Sequence, residues 1–316
     1  MIRASAPTRL DFGGGWTDVP PFPEERGGFV CNLAVERRAT VTLTTAALNA
    51  APPDPLTAAA LRHAARHAAR QRPSLDGLTA HNHSDFPTGA GLGGSSAAGV
   101  ATAAAIAAHT GEALTPAQLA ERSRTVEVDE LGVAGGRQDH YAAAFGGALG
   151  LAFTSTTTVD KIDLNSDTIR SLESQITVIY SGESRISGET ITAVLDAYAS
   201  RVPRVVQALD RMAALARQMH RALGHGNLAE LAALVDEHWH HQRSLHPAIT
   251  TDRIDAIEAA VRAAGATGFK ALGASGGGCV IALSPDEQTM RVRSAAAPLG
   301  TVLTWSVARE GVRLST

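Results

Sequence analysis

Apolar and polar positions alternate weakly over residues 2–12, the period of a strand with one buried face, until Gly13-Gly14-Gly15 stops it in a tight turn. Residues 16–21, Trp-Thr-Asp-Val-Pro-Pro, read as an irregular loop, because neither proline suits a central strand or a helix interior; Gly27 and Gly28 close it. A pair of strands is expected over 29–33 and 39–45, then a turn-rich link over 50–55. Residues 56–72 carry helical spacing with Arg and His outward, and 78–83 read as a strand entering a glycine-rich stretch. An alanine-rich helix follows over 97–109. Thr115-Pro116-Ala117-Gln118 is a helix start, with Thr as N-cap, Pro at the first helical position and Gln where a capping box needs it. That helix is expected to end near Gly132, with a second irregular polar loop over 135–141 and a strand over 148–153.

A boundary is expected in the polar stretch 154–174, dividing the chain into units 1–168 and 169–316. Beyond it lie a strand over 176–180 and a long amphipathic helical region carrying Ile191, Val194, Leu195, Tyr198, Leu209, Met212 and Leu215, interrupted at Pro203. Helices over 228–241 and 252–264 follow, the second stopped by Gly265. Short strands over 269–272 and 280–283 flank Gly276-Gly277-Gly278, and a last strand covers 301–307. The pattern predicts two α+β domains with antiparallel or mixed sheets, not a regular βαβ series.

Composition narrows the function classes. A hydrophobic fraction of 44% and a charged fraction of 19% are those of a soluble globular chain, and a net charge of −3 offers no basic surface for nucleic acid or an acidic membrane. The longest apolar run, 97–108, is too short for a bilayer, and residues 1–11 lack the apolar core of a secretory signal. Cys31 and Cys279 form no disulfide framework, so a cytoplasmic, reducing compartment is expected. Only Lys161 and Lys270 are lysines, which leaves cationic contacts to phosphate mainly to Arg.

The stretch with most chemistry is Pro87-Thr88-Gly89-Ala90-Gly91-Leu92-Gly93-Gly94-Ser95-Ser96. Close glycines let the backbone approach an anion, and the helix start offers unpaired N–H groups at the positive end of a dipole. Gly89, Gly91 and Gly94 also satisfy the dinucleotide fingerprint, but that pattern needs an acid about 20 residues on at a strand end; here Glu112 sits in an apparent turn. A plain glycine-rich turn against a helix is the third reading. The P-loop and protein-kinase signatures are missing. Glu127 shares a largely apolar helix face with Ala120, Ser123 and Leu131, which calls for a partner such as a metal, although a surface ion pair would serve. Asp139, within Gly135-Gly136-Arg137-Gln138-Asp139-His140-Tyr141, can accept a hydroxyl proton or merely cap a turn. Asp18 suits vicinal hydroxyls and Trp16 a sugar face; a turn Asp and a packed Trp are the ordinary alternatives. The run His238-Trp239-His240-His241 lacks the spacing of a zinc set and is read as a polar helix end.

Taken together, these residues resemble the GHMP kinase superfamily (galactokinase, homoserine, mevalonate and phosphomevalonate kinases) over essentially the whole chain. Residues 6–15, 87–97 and 270–279 look like its three motifs, in order. The finer pattern resembles the branch of D-glycero-D-manno-heptose 7-phosphate kinase and L-fucokinase, on Arg9 to Asp18, Gly135 to Tyr141, Ser184-Arg185-Ile186-Ser187 and Trp239 to Leu245. The resemblance implies an α+β fold: an N-terminal domain like domain 2 of ribosomal protein S5, and a C-terminal ferredoxin-like domain. It implies ATP as phosphoryl donor to a sugar's anomeric hydroxyl, with Mg²⁺ held by Glu127 and Ser96 or Ser95. Asp139 would take or orient the hydroxyl proton and Arg9 would stand near the reacting oxygen. Trp16, Thr17, Asp18, Gly28, Gly136, Arg137, Gln138, Arg185, Arg243, Gly276 and Gly277 would contact the substrate. The expected acceptor is a heptose 7-phosphate, its own phosphate met by Arg137, Arg185 and Arg243. L-Fucose or another unphosphorylated sugar is the alternative; a non-catalytic ATP and sugar sensor is more remote. A homodimer is a further expectation. The chain departs from the pattern at Gly93-Gly94 (one glycine more than the mevalonate-kinase form), Ser275, His140 and His246.

Overall fold

Strand β1 (Ile2–Gly13) runs antiparallel to β2 (Gly28–Thr45), which is one continuous strand where a pair was expected. The polar residues Glu36 to Arg38 do not break it. The register instead shifts between Pro7, paired with Arg38, and Thr8, paired with Val35. Pro7 has no N–H to give the ladder, so the irregularity falls where a ladder bond is already lost. Between them lies the short helix α1 (Phe22–Arg26). The computed structural model describes residues 1–45, 53–67, 73–183 and 188–315. The tail of the helix expected over 56–72, the first half of the expected link over 50–55 and Arg185 therefore lie outside the described residues.

Helix α2 (Pro55–His67) and strand β3 (Leu78–Ser84) lead to α3 (Gly94–Thr110), which is buried nearly all round. Its alanines allow close approach to β1 and β2. Helix α4 (Pro116–Arg124) starts with the expected capping box, but the expected helix does not run on unchanged to Gly132. Thr125–Glu130 winds as a π-helix, the wide turn that recurs at functional sites. Helix α5 (Gln138–Phe145) replaces the end of the expected loop. Strands β4 (Ala148–Phe153) and β5 (Thr157–Ile162) and helix α6 (Ser166–Gln175) follow, so the polar stretch 154–174 is structured. Its hydroxyls and charges sit on exposed faces.

The second half holds β6 (Ile176–Tyr180), α7 (Gly188–Ala199), α8 (Pro203–Gly224), α9 (Leu228–Leu245), α10 (Asp252–Ala263), β7 (Gly268–Ala271), β8 (Cys279–Leu283), α11 (Asp286–Ala296), β9 (Thr301–Leu303) and β10 (Arg313–Ser315). Pro203 starts α8, as its interruption of the helical pattern predicts. Two sheets result, with orders β10-β1-β2-β4-β5 (β3 also on β2) and β7-β8-β6-β9, and every pairing is antiparallel. The α+β expectation holds. The sheets divide between Ile162 and Ile176, although β10 returns to the first beside β1. Helix α8 packs on β2 and α9 on β7, and one core joins Leu10 and Phe12 to Leu272, Cys279 and Ile281 across the division. Among the described residues no helix is long and apolar enough to cross a membrane. Both cysteines are buried and free.

That shared core contains an ion pair. Lys270 Nζ lies 3.0 Å from Asp11 Oδ2 and donates to the Asp11 carbonyl at 2.7 Å, with both side chains buried. Burial works to raise the Asp11 pKa, but the Lys270 ammonium, the Arg9 guanidinium and His238 outweigh it and hold the carboxylate below its ordinary range. Lys270→Met leaves Asp11 an unpaired buried charge and is expected to lower stability by about 3–5 kcal/mol. Asp11→Leu combined with it restores part of that loss; urea melts of both variants check the ordering.

Candidate active site

A cleft of about 560 Å³ opens between the two halves, walled by the glycine-rich stretch, the Trp16 loop, the π-helix and the start of α5. The glycine wall is built as the anion reading requires. Gly93 is the N-cap of α3 in left-handed conformation (φ +76°), and no side chain caps the helix. No acid stands in its first turn, so the first amides are left to a ligand. A Cβ on Gly93 would sit 3.0 Å from Asp139 Cγ, and one on Gly91 (φ +73°) 3.0 Å from the Leu272 carbonyl. Pro87, Thr88, Gly89, Ala90, Leu92, Gly94, Ser95 and Ser96 all line the cleft.

The two serines part company. Ser95 is exposed, whereas Ser96 is buried and its Oγ donates to Glu127 Oε2 at 2.9 Å. The π-turn brings Glu127 inward, 7% exposed, with His140 Nε2 3.3 Å from the same Oε2. His140 is buried; burial pushes its pKa down, against Glu127 and Asp139.

Arg9 and Asp139 form the other half. Arg9 is 2% exposed; its Nε and Nη2 reach Asp139 Oδ1 at 2.8 and 2.7 Å, and its Nη1 donates to the Gly91 carbonyl at 2.6 Å. Both contacts to Asp139 fall on Oδ1, which leaves Oδ2 facing the glycine loop near Gly93. Asp18 is buried and accepts the Gln138 N–H at 2.9 Å. Burial, with Asp139 and Asp11 nearby, pushes its pKa up to about 6 against that hydrogen bond. Trp16 holds a left-handed φ of 79° that only a well-braced loop sustains. Its indole N–H and the Gln138 Oε1 are buried without protein partners, and both residues line the cleft, so polar ligand atoms have counterparts there.

Of the other expected substrate contacts among the described residues, only Gly136 is brought to the cleft. Thr17 spends its hydroxyl on the Gly14 carbonyl at 2.6 Å and on the Phe29 backbone, so it shapes the loop from behind. Gly28 does likewise, because a Cβ there would strike the Thr17 carbonyl at 1.9 Å. Gly136 does line the cleft; a Cβ on it would fall 2.0 Å from Asp18 Oδ2. Arg137 turns to the Thr154 carbonyl (3.4 Å) and Glu121 (3.9 Å). Arg243 pairs with Asp255 at 3.0 Å and Glu258 at 3.2 Å over the Trp239 ring. Two carboxylates claim the Arg243 guanidinium, whereas Arg137 is held by a backbone carbonyl with Glu121 at ion-pair distance. Gly276 and Gly277 pack against the Ala248 and Glu183 carbonyls and do not line the cleft, where Gly273 and Ala274 stand instead. The end of this loop braces the glycine wall, where Cys279 N–H donates to the Ala90 carbonyl at 2.7 Å. Among the described residues, Arg9 is the one Arg or Lys lining the cleft.

Three supporting residues have roles that the sequence does not disclose. In sequence, Lys270 and Asp11 are only letters of the resembled motifs. His238 is no polar helix end: it is fully buried, and its Nε2 accepts the Gly14 N–H at 2.8 Å. A single acid inside an apolar strand was the one available signal for Asp11.

Residues 41–147 match the family model "GHMP kinases N terminal domain" and residues 219–296 the model "GHMP kinases C terminal", together more than half of the chain. The chain belongs to the GHMP kinase family. It is accordingly a phosphotransferase with an alcohol group as acceptor. Among similar proteins is D-glycero-alpha-D-manno-heptose 7-phosphate kinase of Campylobacter jejuni, 23% identical over 99% of this chain and 98% of that protein. The bifunctional fucokinase/GDP-fucose pyrophosphorylase of Arabidopsis thaliana is 23% identical over 90% of this chain, which spans only 30% of that protein. The same GHMP fold is found in the crystal structure of a D-glycero-D-manno-heptose 1-phosphate kinase from Bacteroides thetaiotaomicron (TM-score 0.80, 22% identity, covering 100% of this chain and 99% of that one).

Proposed function

We propose that this GHMP kinase transfers the γ-phosphoryl group of ATP to the anomeric hydroxyl of a sugar, in the cytoplasm. The observation that carries the reading is the placement of the Arg9–Asp139 pair across the glycine loop from Ser96 and Glu127. Phosphoryl transfer needs positioning and charge neutralisation more than covalent catalysis. The first amides of α3 would hold phosphate oxygens, and Arg9 would stabilise charge as it develops. Asp139 Oδ2 would accept the proton of the sugar hydroxyl as the new O–P bond forms and the bond to the ADP oxygen breaks. An anomeric hydroxyl is more acidic than an ordinary one, which lightens that task.

The Ser96–Glu127 pair fits Mg²⁺: both donors are oxygens, and a hard cation in kinase sites takes one or two protein ligands, its other positions going to phosphates and water. Among the described residues no group of three or more His, Cys, Asp and Glu could hold a metal alone, which agrees with a shared site. Bound Mg²⁺ would neutralise phosphate charge. Asp18, Trp16 and Gln138 would face the sugar, and units 1–168 and 169–316 would form the two walls.

For the acceptor, a heptose 7-phosphate remains the first reading, supported by similarity to the Campylobacter jejuni kinase over nearly the full length of both chains. The withdrawal of Arg137 and Arg243 favours an unphosphorylated sugar such as L-fucose, and leaves Arg185 to meet a second phosphate. ADP release measured with heptose 7-phosphate, L-fucose, D-galactose and D-mannose tests the proposal. Heptose 7-phosphate is expected to give the highest kcat/KM, and Arg185→Ala to raise its KM at least about tenfold, the scale of one charged contact. Activity on L-fucose alone would overturn the heptose assignment; release on no sugar would overturn the sugar-kinase reading.

A further inference from the structure

The site contains a run of polar contacts beyond those that phosphoryl transfer itself uses. Ser123, on α4, lies 2.9 Å from His140 Nδ1 on α5, and His140 Nε2 lies 3.3 Å from Glu127 Oε2 on the π-helix. Ser96 Oγ, on α3, donates to that same Oε2. Four elements are thus tied through one carboxylate oxygen. A ring lone pair this near a carboxylate would be repelled, so Nε2 carries the hydrogen; in a neutral ring Nδ1 then accepts from the Ser123 hydroxyl. The tautomer is set from behind. Ser123 is itself lodged against Gly99 of α3, where a Cβ would fall 2.3 Å from its Oγ. The Ser96 hydrogen bond and the His140 contact both fall on Oε2, and Oε1 takes no hydrogen bond among the described residues.

We propose that His140 is a positioning residue for a divalent cation at Glu127: by holding Oε2, with Ser123 fixing its ring, it turns Oε1 toward the metal and the ATP phosphates. The inference rests on the Ser96–Glu127 metal reading. Its physical basis is the π-turn. Glu127 sits on a short, widened segment with little helical support, so its carboxylate needs an outside anchor to keep one orientation. Residues that orient a ligand in this way commonly change metal affinity about 10–100-fold when removed.

The test is Mn²⁺ binding, followed by electron paramagnetic resonance, to the enzyme with a non-hydrolysable ATP analogue, together with thermal melts. His140→Ala is expected to weaken Mn²⁺ binding about 10–100-fold. His140→Gln, whose amide nitrogen reaches the Nε2 position, should bind within about threefold of wild type; His140→Asn, which reaches only the Nδ1 position, should resemble the alanine variant. Ser123→Ala should weaken binding less. A merely structural histidine would lower the melting temperature in Asn and Gln variants alike and leave the affinity order unchanged. Wild-type Mn²⁺ affinity in His140→Ala, or equal deficits in the Gln and Asn variants, overturns the proposal. Glu127→Gln separates the two readings. If it binds Mn²⁺ as wild type does, the metal site itself is wrong; if it loses Mn²⁺ while His140→Ala keeps it, only the role of His140 falls.

Discussion

Asp139→Asn is expected to lower kcat about 10²–10⁴-fold, the range for removal of a positioned general base, while ATP affinity stays within about threefold. The reason lies in how the two carboxylate oxygens are used. Oδ1 takes both contacts from Arg9, and an Asn oxygen there can still accept them. Oδ2 is the oxygen left for the sugar, and in Asn it becomes an NH₂ group that cannot receive a proton. Arg9 therefore keeps its place, anchored also on the Gly91 carbonyl, and the glycine wall is undisturbed. The acidity of an anomeric hydroxyl places the loss toward the lower end of the range. Steady-state rates with an independent ATP-binding titration check both halves. Wild-type turnover would remove Asp139 from the chemistry. A parallel loss of ATP affinity would show that it serves the glycine loop instead.

Asp18→Asn is expected to stabilise the protein at pH 7 while damaging sugar binding. Asp18 has a folded-state pKa of about 6 against an unfolded value of 3.8. Between those values the folded chain holds a proton that the unfolded chain lacks, so this group's contribution to stability falls as pH rises from about 4 to 6. Above pH 6 the ionised, buried carboxylate is a standing cost. Two pKa units correspond to an upper bound of about 3 kcal/mol. Asn keeps an oxygen for the Gln138 N–H and removes the charge, so melts at pH 7 should move upward and the gain should vanish below about pH 4. In the same variant the sugar KM should rise at least about tenfold at pH 7. The wild-type KM should rise as pH falls through about 6. A variant less stable than wild type at pH 7 would show that the carboxylate is held by more than the Gln138 amide. This is the usual exchange at a binding site, where stability is given up for a charged group kept dry.

Glycine, proline and capping signals were legible because they act within a few residues of themselves. Thr115 and Gln118 form their capping box, Pro203 starts its helix and Gly93 takes the left-handed turn before α3. Glu127 was legible as an anomaly, an acid on an apolar face. The π-turn that resolves it was not, since it depends on what α2 and α3 press against it. The strand pair expected at 29–33 and 39–45 failed for a similar reason: a polar interruption in sequence is tolerated in one strand when a partner strand shifts register opposite it.

The glycine loop, the two carboxylates facing it and the α+β class were determined by the chain's own order of residues, because backbone freedom and helix starts are local properties. Which serine meets Glu127, that Arg137 and Arg243 turn away, and that Lys270 lies buried on Asp11 were decided only by the tertiary structure. Arg or Lys goes to whichever carboxylate lies within a few ångströms. For Lys270 that carboxylate stands 259 residues away in sequence, beyond the reach of any local pattern.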